Sequence, residues 1–153
     1  MGAPETVLAF DFGLKRIGIA AGDSLTRHAA PRPATRCGVR GPDWEAITRE
    51  VRALAPARLI VGAPYNEDGS DSPITAQARR FAAELRRRFA LPVHLVDERF
   101  SSLEATETLR TQRASGARRR RVQKADIDSA AAAVILGRWF AGETCMNTGD
   151  GPG

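Results

Sequence analysis

The sequence predicts an α/β domain in which helices flank a mixed β-sheet. Two apolar runs of strand length open the chain, and the link between them is short enough for a hairpin. After the hairpin, strand-like and helix-like patterns alternate, which is typical of parallel strands joined by helical crossovers. We therefore expect antiparallel pairing at the start of the chain and a functional site at the carboxyl ends of the parallel strands.

Short apolar segments between turn residues indicate the individual strands. The hairpin comprises residues 6–13 (TVLAFDFG) and 16–22 (RIGIAAG), and a third extended segment is expected near residues 34–39. Two further strands are predicted at residues 58–64 (RLIVGAP) and 92–96 (PVHLV). Because side chains alternate along a strand, each of these segments presents one set of residues to each face of the sheet.

Helices are predicted where apolar residues recur with the spacing of an amphipathic helix. The first begins at Pro42 and Asp43, and the second covers residues 73–89. The third should cover residues 101–112, where the capping box S-x-x-E marks its start, and the last covers residues 126–141.

Length and composition favour one domain. With 153 residues, of which 42% are hydrophobic, the chain can bury one core. We expect that domain over residues 1–141 and a disordered tail over residues 142–153, a segment rich in glycine and without periodicity. A membrane span of roughly 18 apolar residues and a secretory signal are both lacking, and Cys37 and Cys145 have no metal-ligand spacing. These features predict a cytoplasmic protein with free thiols and no membrane partner.

Basic charge is concentrated in one part of the chain. The net charge is +5, but residues 79–124 contain 13 Arg or Lys against 5 Asp or Glu, a net charge of +8. Such clustering is typical of proteins that bind polyanions, so we predict a nucleic acid as the partner.

Three acidic residues lie at positions where a charged carboxylate without a partner would cost free energy. They are Asp11, Glu98 and Asp128. Asp11 alternates with Val7 and Ala9 on one face of an apolar strand, Glu98 follows a strand, and Asp128 is expected in the first turn of the last helix. Each has a simpler interpretation when taken alone: a turn contact for the first, a surface ion pair for the second, and helix capping for the third. Asp126 could cap this helix equally well.

Taken together, these three acids predict a metal site. Carboxylates are the ligands that Mg²⁺ and Mn²⁺ prefer, and pairs of such ions serve phosphoryl transfer by activating water and stabilising the leaving oxygen. The chain has no Walker A motif, and His28 and His94, its two histidines, do not form a zinc cluster. Asp-x-Gly after a strand also opens the phosphate loop of actin-like enzymes, although those proteins are far longer than this chain.

Polar and basic residues near these acids are candidates for contacts with backbone phosphates. Lys15 and Arg16 closely follow Asp11, and a run of four arginines precedes the last helix, although such a run can also be a solvated loop. The loop at residues 62–70 should lie on the same rim. The candidates are Lys15, Arg16, Asn66, Arg99, Arg118, Arg119, Arg120, Arg121 and Lys124.

Four motifs give the chain a resemblance to a known family. They are DFGLKRIGIA at residues 11–20, VGAPYNEDGS at 61–70, LVDERFSSLEA at 95–105 and DSAAAAVIL at 128–136. In this order and spacing, residues 6–141 resemble the YqgF-type proteins of the ribonuclease H-like superfamily. That family is described both as Holliday-junction resolvases and as nucleases of pre-16S ribosomal RNA.

The resemblance implies a ribonuclease H-like fold with a mixed five-stranded sheet flanked by helices. It also implies that Asp11, Glu98 and Asp128 are the catalytic acids and hold Mg²⁺ or Mn²⁺, and it favours Asp128 over its neighbour. The chain departs from the family pattern at Ala63 and Glu67, where larger apolar residues are more common. These departures concern substrate contacts rather than the acids.

The expected function is that of a metal-dependent endonuclease acting on structured nucleic acid, with the 5′ end of pre-16S rRNA as the preferred substrate. One alternative is a Holliday junction resolvase acting on branched DNA, and another is a nucleic-acid-binding ribosome-assembly factor without catalysis. The protein is expected to be a monomer or a homodimer, because symmetric cleavage of a junction favours a dimer whereas trimming of rRNA does not.

Overall fold

The computed structural model describes residues 5–63, 73–97, 124–141 and 145–146. Within them, seven strands form one sheet and three helices pack against it. The strands are β1 (Thr6–Asp11), β2 (Arg16–Asp23), β3 (Ala29–Gly38), β4 (Gly41–Pro42), β5 (Arg58–Ala63), β6 (Val93–Asp97) and β7 (Cys145–Met146). The helices are α1 (Trp44–Leu54), α2 (Thr75–Phe89) and α3 (Lys124–Phe140).

The sheet is mixed, as the alternating pattern predicted. Its strand order is β4-β3-β2-β1-β5-β6-β7. The hairpin β1–β2 and the pair β2–β3 are antiparallel, whereas β1–β5 and β5–β6 are parallel. The five longer strands are those that the sequence predicted, and two strands of two residues each extend the sheet at its edges to a total of seven.

The described segments end close to their predicted boundaries, with a few differences. β3 begins at Ala29, five residues before the predicted segment, and α3 begins at Lys124 instead of residue 126. β7, in the segment predicted to be a tail, pairs with β6, while the other residues of 142–153 lie outside the described part. The division into a domain and a tail stays a prediction, and the helix predicted at 101–112 also lies outside the described residues.

Large side chains fill the first face of the sheet, which we call the α1/α2 face. Phe81 of α2 lies at the centre of this core, with ring-centroid distances of 5.6 Å to Phe10, 5.2 Å to Phe12 and 5.5 Å to Trp44. The other fully buried strand residues of this core include Leu8, Ile17, Leu59 and Val61. Helix α1 is anchored here by its cap, because Asp43 Oδ1 accepts a hydrogen bond from the Ala46 N–H at 3.1 Å.

Smaller residues line the opposite face, which we call the α3 face. Its core contains Val7, Ala9, Ala20, Ile60 and Val96 from the strands, and Ala132, Ile135 and Leu136 from α3. Helix α3 contacts β1, β2 and β3. Among the helices of the described residues, none is long and apolar enough to cross a bilayer.

Two glycines of β2 allow α3 to lie close to the sheet. A Cβ atom on Gly18 would overlap the backbone of Asp128, and one on Gly22 would lie 2.7 Å from Cε2 of Phe140. The contact at Gly18 is with the helix backbone, so the start of α3 can occupy this position only because β2 carries glycine there, whereas at Gly22 the Phe140 side chain could shift. The close approach brings the first half of α3 to the end of the β1–β2 hairpin.

Candidate active site

Asp11 is the last residue of β1 and lies on the α3 face. Its partners in register are Gly18 on β2 and Gly62 on β5. The preceding alternate residues, Val7 and Ala9, pack against α3, which confirms the face that alternation along the strand predicted. The Asp11 side chain is half-buried and lies beside two strand positions that carry no side chain.

Asp128 reaches the same place from α3. Its backbone contacts Gly18, the residue paired with Asp11. The next residue, Ser129, is buried, and its hydroxyl accepts a hydrogen bond from the Ile19 N–H at 3.4 Å. The structure thus brings two of the three predicted acids, Asp11 and Asp128, together at the end of the β1–β2 hairpin.

The capping interpretation of Asp128 does not hold. Because α3 begins at Lys124, Asp128 lies in the second turn rather than in the predicted first turn. A residue at that position is past the free amides of the helix start and cannot be the N-cap. Its carboxylate is instead engaged by Arg16, whose Nε donates a hydrogen bond to Asp128 Oδ2 at 2.8 Å.

The Arg16–Asp128 ion pair joins residues that are 112 positions apart in sequence. The side chains keep 33% and 29% of their exposed area, so the pair is open to solvent on one side. The sequence suggested Arg16 as a phosphate contact but contained no sign of its partner. A guanidinium has five N–H donors, so a bond through Nε does not exhaust its hydrogen-bonding capacity.

The parallel strands β1, β5 and β6 end at one edge of the sheet. Gly62 pairs with Asp11 on one side and with Val96 on the other. Val96 packs on the α3 face, and the His94 ring contacts Trp139 of α3 with centroids 5.8 Å apart. The predicted alternation of β6 is therefore confirmed up to Val96.

Most of the remaining predicted site residues fall outside the described part of the chain. These are Glu98, Asn66, Arg99, Arg118, Arg119, Arg120 and Arg121. Lys124 is described only as the first residue of α3. Lys15 is exposed in the hairpin turn, and its carbonyl oxygen accepts a hydrogen bond from the Cys37 N–H at 2.9 Å, which ties the turn to β3.

Two residues that sequence reasoning did not select belong to this region. Ser129 anchors α3 to β2 beside Asp128, and Arg36 is the register partner of Arg16 on β3. The DSAAAA sequence hints at Ser129, since a lone hydroxyl in a small-residue helix needs a partner when buried. Nothing local indicates Arg36, because cross-strand neighbours depend on the register.

The donor chemistry of this site fits a hard divalent cation. Two acidic residues from separate elements, Asp11 and Asp128, lie on the same face of the sheet beside Gly18, and the carboxylate of Asp128 already binds a cationic group at 2.8 Å. Within the described residues, groups of three or more potential metal-binding side chains are absent, and the third predicted ligand, Glu98, lies beyond them.

His94 and Cys37 carry groups that can act as a base or a nucleophile in other proteins, but their surroundings here do not favour such a role. Burial, followed by the charges of Arg58 and Arg86, lowers the pKa of His94, and its ring packs against Trp139. Burial also raises the pKa of the free Cys37 thiol, which disfavours the nucleophilic thiolate form.

Comparison with known proteins identifies the family of this chain. A family model described as "RuvX: Holliday junction resolvase" matches residues 5–142. The chain belongs to the RuvX family. It is thus a hydrolase of the phosphodiester bonds of nucleic acids, as the sequence predicted.

Two relatives illustrate the similarity within the RuvX family. A protein of Xanthomonas campestris pv. campestris (strain B100) is 46% identical over 136 residues, which are 89% of this chain and 87% of that protein. A protein of Edwardsiella ictaluri (strain 93-146) is 42% identical over 137 residues, which are 90% of this chain and 95% of that protein. Both bear the name "Putative pre-16S rRNA nuclease".

Solved structures show the fold. Thermus thermophilus RuvC in complex with a Holliday junction substrate superposes with a TM-score of 0.52 at 16% identity, covering 90% of this chain and 94% of RuvC. The fowlpox virus resolvase bound to Holliday junction DNA gives a TM-score of 0.54 at 10% identity, covering 90% of this chain and 97% of the resolvase. The predicted ribonuclease H-like fold is confirmed.

Proposed function

We propose that this protein is a metal-dependent endonuclease that processes the 5′ end of pre-16S rRNA. The observation that carries the proposal is the convergence of Asp11 and Asp128 at the end of the β1–β2 hairpin. The names of the relatives that are 42–46% identical over about nine tenths of the chain support the RNA substrate. The site of action would be the cytoplasm.

In this proposal Asp11, Glu98 and Asp128 hold Mg²⁺ or Mn²⁺. When bound, such ions supply the activation of water and the stabilisation of the leaving oxygen. Arg16 orients Asp128 through the 2.8 Å hydrogen bond, and the other N–H groups of its guanidinium would bind a backbone phosphate. The remaining contacts to the nucleic-acid backbone would come from Lys15, Asn66, Arg99, Arg118, Arg119, Arg120, Arg121 and Lys124.

The second candidate is resolution of Holliday junctions. It is supported by the description of the RuvX family and by the similarity of the fold to resolvases solved with junction DNA. This activity would favour a homodimer, since two symmetric cuts need two sites, whereas the RNA-processing activity is compatible with a monomer.

The test compares cleavage of a 5′ precursor segment of 16S rRNA and of a four-way DNA junction, each with Mg²⁺ or Mn²⁺. The variants Asp11→Asn and Asp128→Asn should cleave at least about 100-fold more slowly than the wild type, because groups that only support metal ligands already contribute 10- to 100-fold. Asp43→Asn is the matched control, since asparagine caps α1 as well as aspartate does. It should retain full activity.

The outcomes separate the candidates. Preferential cleavage of the RNA supports the proposal, and preferential cleavage of the junction supports the second candidate. Equal cleavage by wild type and Asp11→Asn would refute the proposed site. Binding of RNA without cleavage by the wild type would instead identify an assembly factor.

A further inference from the structure

We propose that Arg36, on β3, contacts a backbone phosphate of the substrate next to the bond that is cleaved. This inference rests on the proposed function and deepens it, because it adds a substrate-positioning residue to the site. It is carried by the register of β2 and β3, by the direction of the neighbouring side chains and by the charges around them.

The register places Arg36 directly opposite Arg16 in the antiparallel pair β2–β3. Residues opposite each other in such a pair have their side chains on the same face of the sheet. Arg16 reaches Asp128 of α3, so this face is the α3 face. The next residue on β3 gives an independent check: Cys37 is part of the α1/α2 core, and alternation directs Arg36 to the opposite side.

Two arginines directly opposite each other repel. The charge of Arg16 is compensated by Asp128 at 2.8 Å. Arg36 is exposed, and its guanidinium has no hydrogen-bond or ion-pair partner among the residues that the structure describes. A second positive charge at this position therefore costs free energy in the unbound protein and gains a partner when an anion binds.

The location indicates which anion. Strands lie about 4.8 Å apart, so β3 is about 10 Å from β1, where Asp11 ends its strand. A polyanion cleaved at Asp11 and Asp128 would continue past β2 towards β3, and a long arginine side chain there can reach a neighbouring phosphate. RNA and DNA backbones share this chemistry, and a guanidinium binds phosphate with two parallel hydrogen bonds.

The experiment measures binding without cleavage. In the Asp11→Asn background, the affinity of Arg36→Gln for the rRNA precursor segment and for the four-way junction is measured by anisotropy over a range of salt concentrations. Loss of one phosphate contact should weaken binding by about tenfold and reduce the slope of log K against log salt by about 1. Arg36→Lys should recover part of the loss, since lysine keeps the charge but not the paired hydrogen bonds.

Arg52→Gln, in the same background, is the matched control. Arg52 is exposed on α1, which packs on the other face of the sheet, and its replacement removes the same charge. It should leave affinity and salt slope close to those of the parent. The melting temperature of Arg36→Gln should also equal that of the parent, because the side chain is exposed.

Each outcome supports or overturns one statement. An effect of Arg36→Gln on the RNA alone, on the junction alone or on both supports the contact and identifies the nucleic acid that uses it. Equal affinities for Arg36→Gln and Arg52→Gln overturn the inference while leaving the proposed function intact. If the parent binds neither nucleic acid, the proposed function fails, and the inference fails with it.

Discussion

The two faces of the sheet are packed with side chains of different size. On the α1/α2 face, rings such as Phe10 and Phe81 fill the space between strands and helices. On the α3 face, Gly18 and Gly22 leave two positions of β2 without a side chain, and α3 contributes the small residues Ala132 and Ala133. Large residues bury more apolar area, whereas small ones let backbones approach closely.

This difference separates stability from the geometry of the site. The rings of the α1/α2 face supply much of the apolar burial but do not point to the acids. The α3 face buries smaller groups, yet its close contact between Gly18 and the backbone of Asp128 determines where that carboxylate lies. Substitutions on the first face should therefore affect folding, and substitutions on the second should affect catalysis.

The largest change in stability is expected for Phe10→Ala. The side chain is fully buried and contacts Phe81 edge to face, so its loss should lower the free energy of unfolding by about 3–5 kcal/mol. Urea denaturation measures this loss. Cleavage per folded molecule, assayed at a temperature where the variant remains folded, should stay near the wild-type rate. A large loss of this normalised rate would show that the two faces are not separable.

Gly18→Ala should have a smaller effect on stability and a large one on activity. The added methyl group would overlap the backbone of Asp128, which we expect to lower the free energy of unfolding by about 1–3 kcal/mol. Displacement of the carboxylate by about 1 Å should slow cleavage by about 100-fold.

Gly38→Ala is the control for this substitution. Gly38 lies in the same sheet, and a Cβ atom there would meet nothing within 4 Å. The control should keep both stability and activity. Wild-type cleavage by Gly18→Ala would contradict the role assigned to the close approach.

The smallest effect on stability is expected for Arg16→Met. Loss of a partly exposed ion pair should lower the stability of the metal-free protein by no more than about 1 kcal/mol. Because the substitution removes the positive charge that neighbours Asp128, it should at the same time tighten Mn²⁺ binding by about two- to fivefold, which calorimetry can measure.

Arg32→Met tests whether that gain is specific to the site. Arg32 pairs with Glu50, also at 2.8 Å, but on the α1/α2 face. Its loss should cost similar stability and leave Mn²⁺ affinity unchanged. Unchanged or weaker Mn²⁺ binding by Arg16→Met would show that the ion pair does not compete with the metal.

Local patterns predicted the strands and the faces of their residues well. Asp11 shares its face with Val7 and Ala9, and His94 shares its face with Val96, because alternation is a property of each strand by itself. Boundaries were less accurate, since the ends of β3 and α3 depend on their neighbours. The strand β7 was not predicted at all, because a two-residue strand has no periodicity and exists only through its pairing with β6.

By itself, the sequence determined the order of elements, the basic character of residues 79–124 and the acids that could serve catalysis. Only the tertiary structure decided that Arg16 engages Asp128, that Ser129 holds the helix beside it and that Arg36 stands opposite Arg16. The physical reason is distance along the chain. Propensity and periodicity act over a few residues. The contacts of Asp128 and Ser129 with β2 instead require a helix to lie against a strand more than 100 positions away, and a glycine at the crossing permits it. The pairing of Arg36 with Arg16 depends on the register of two strands.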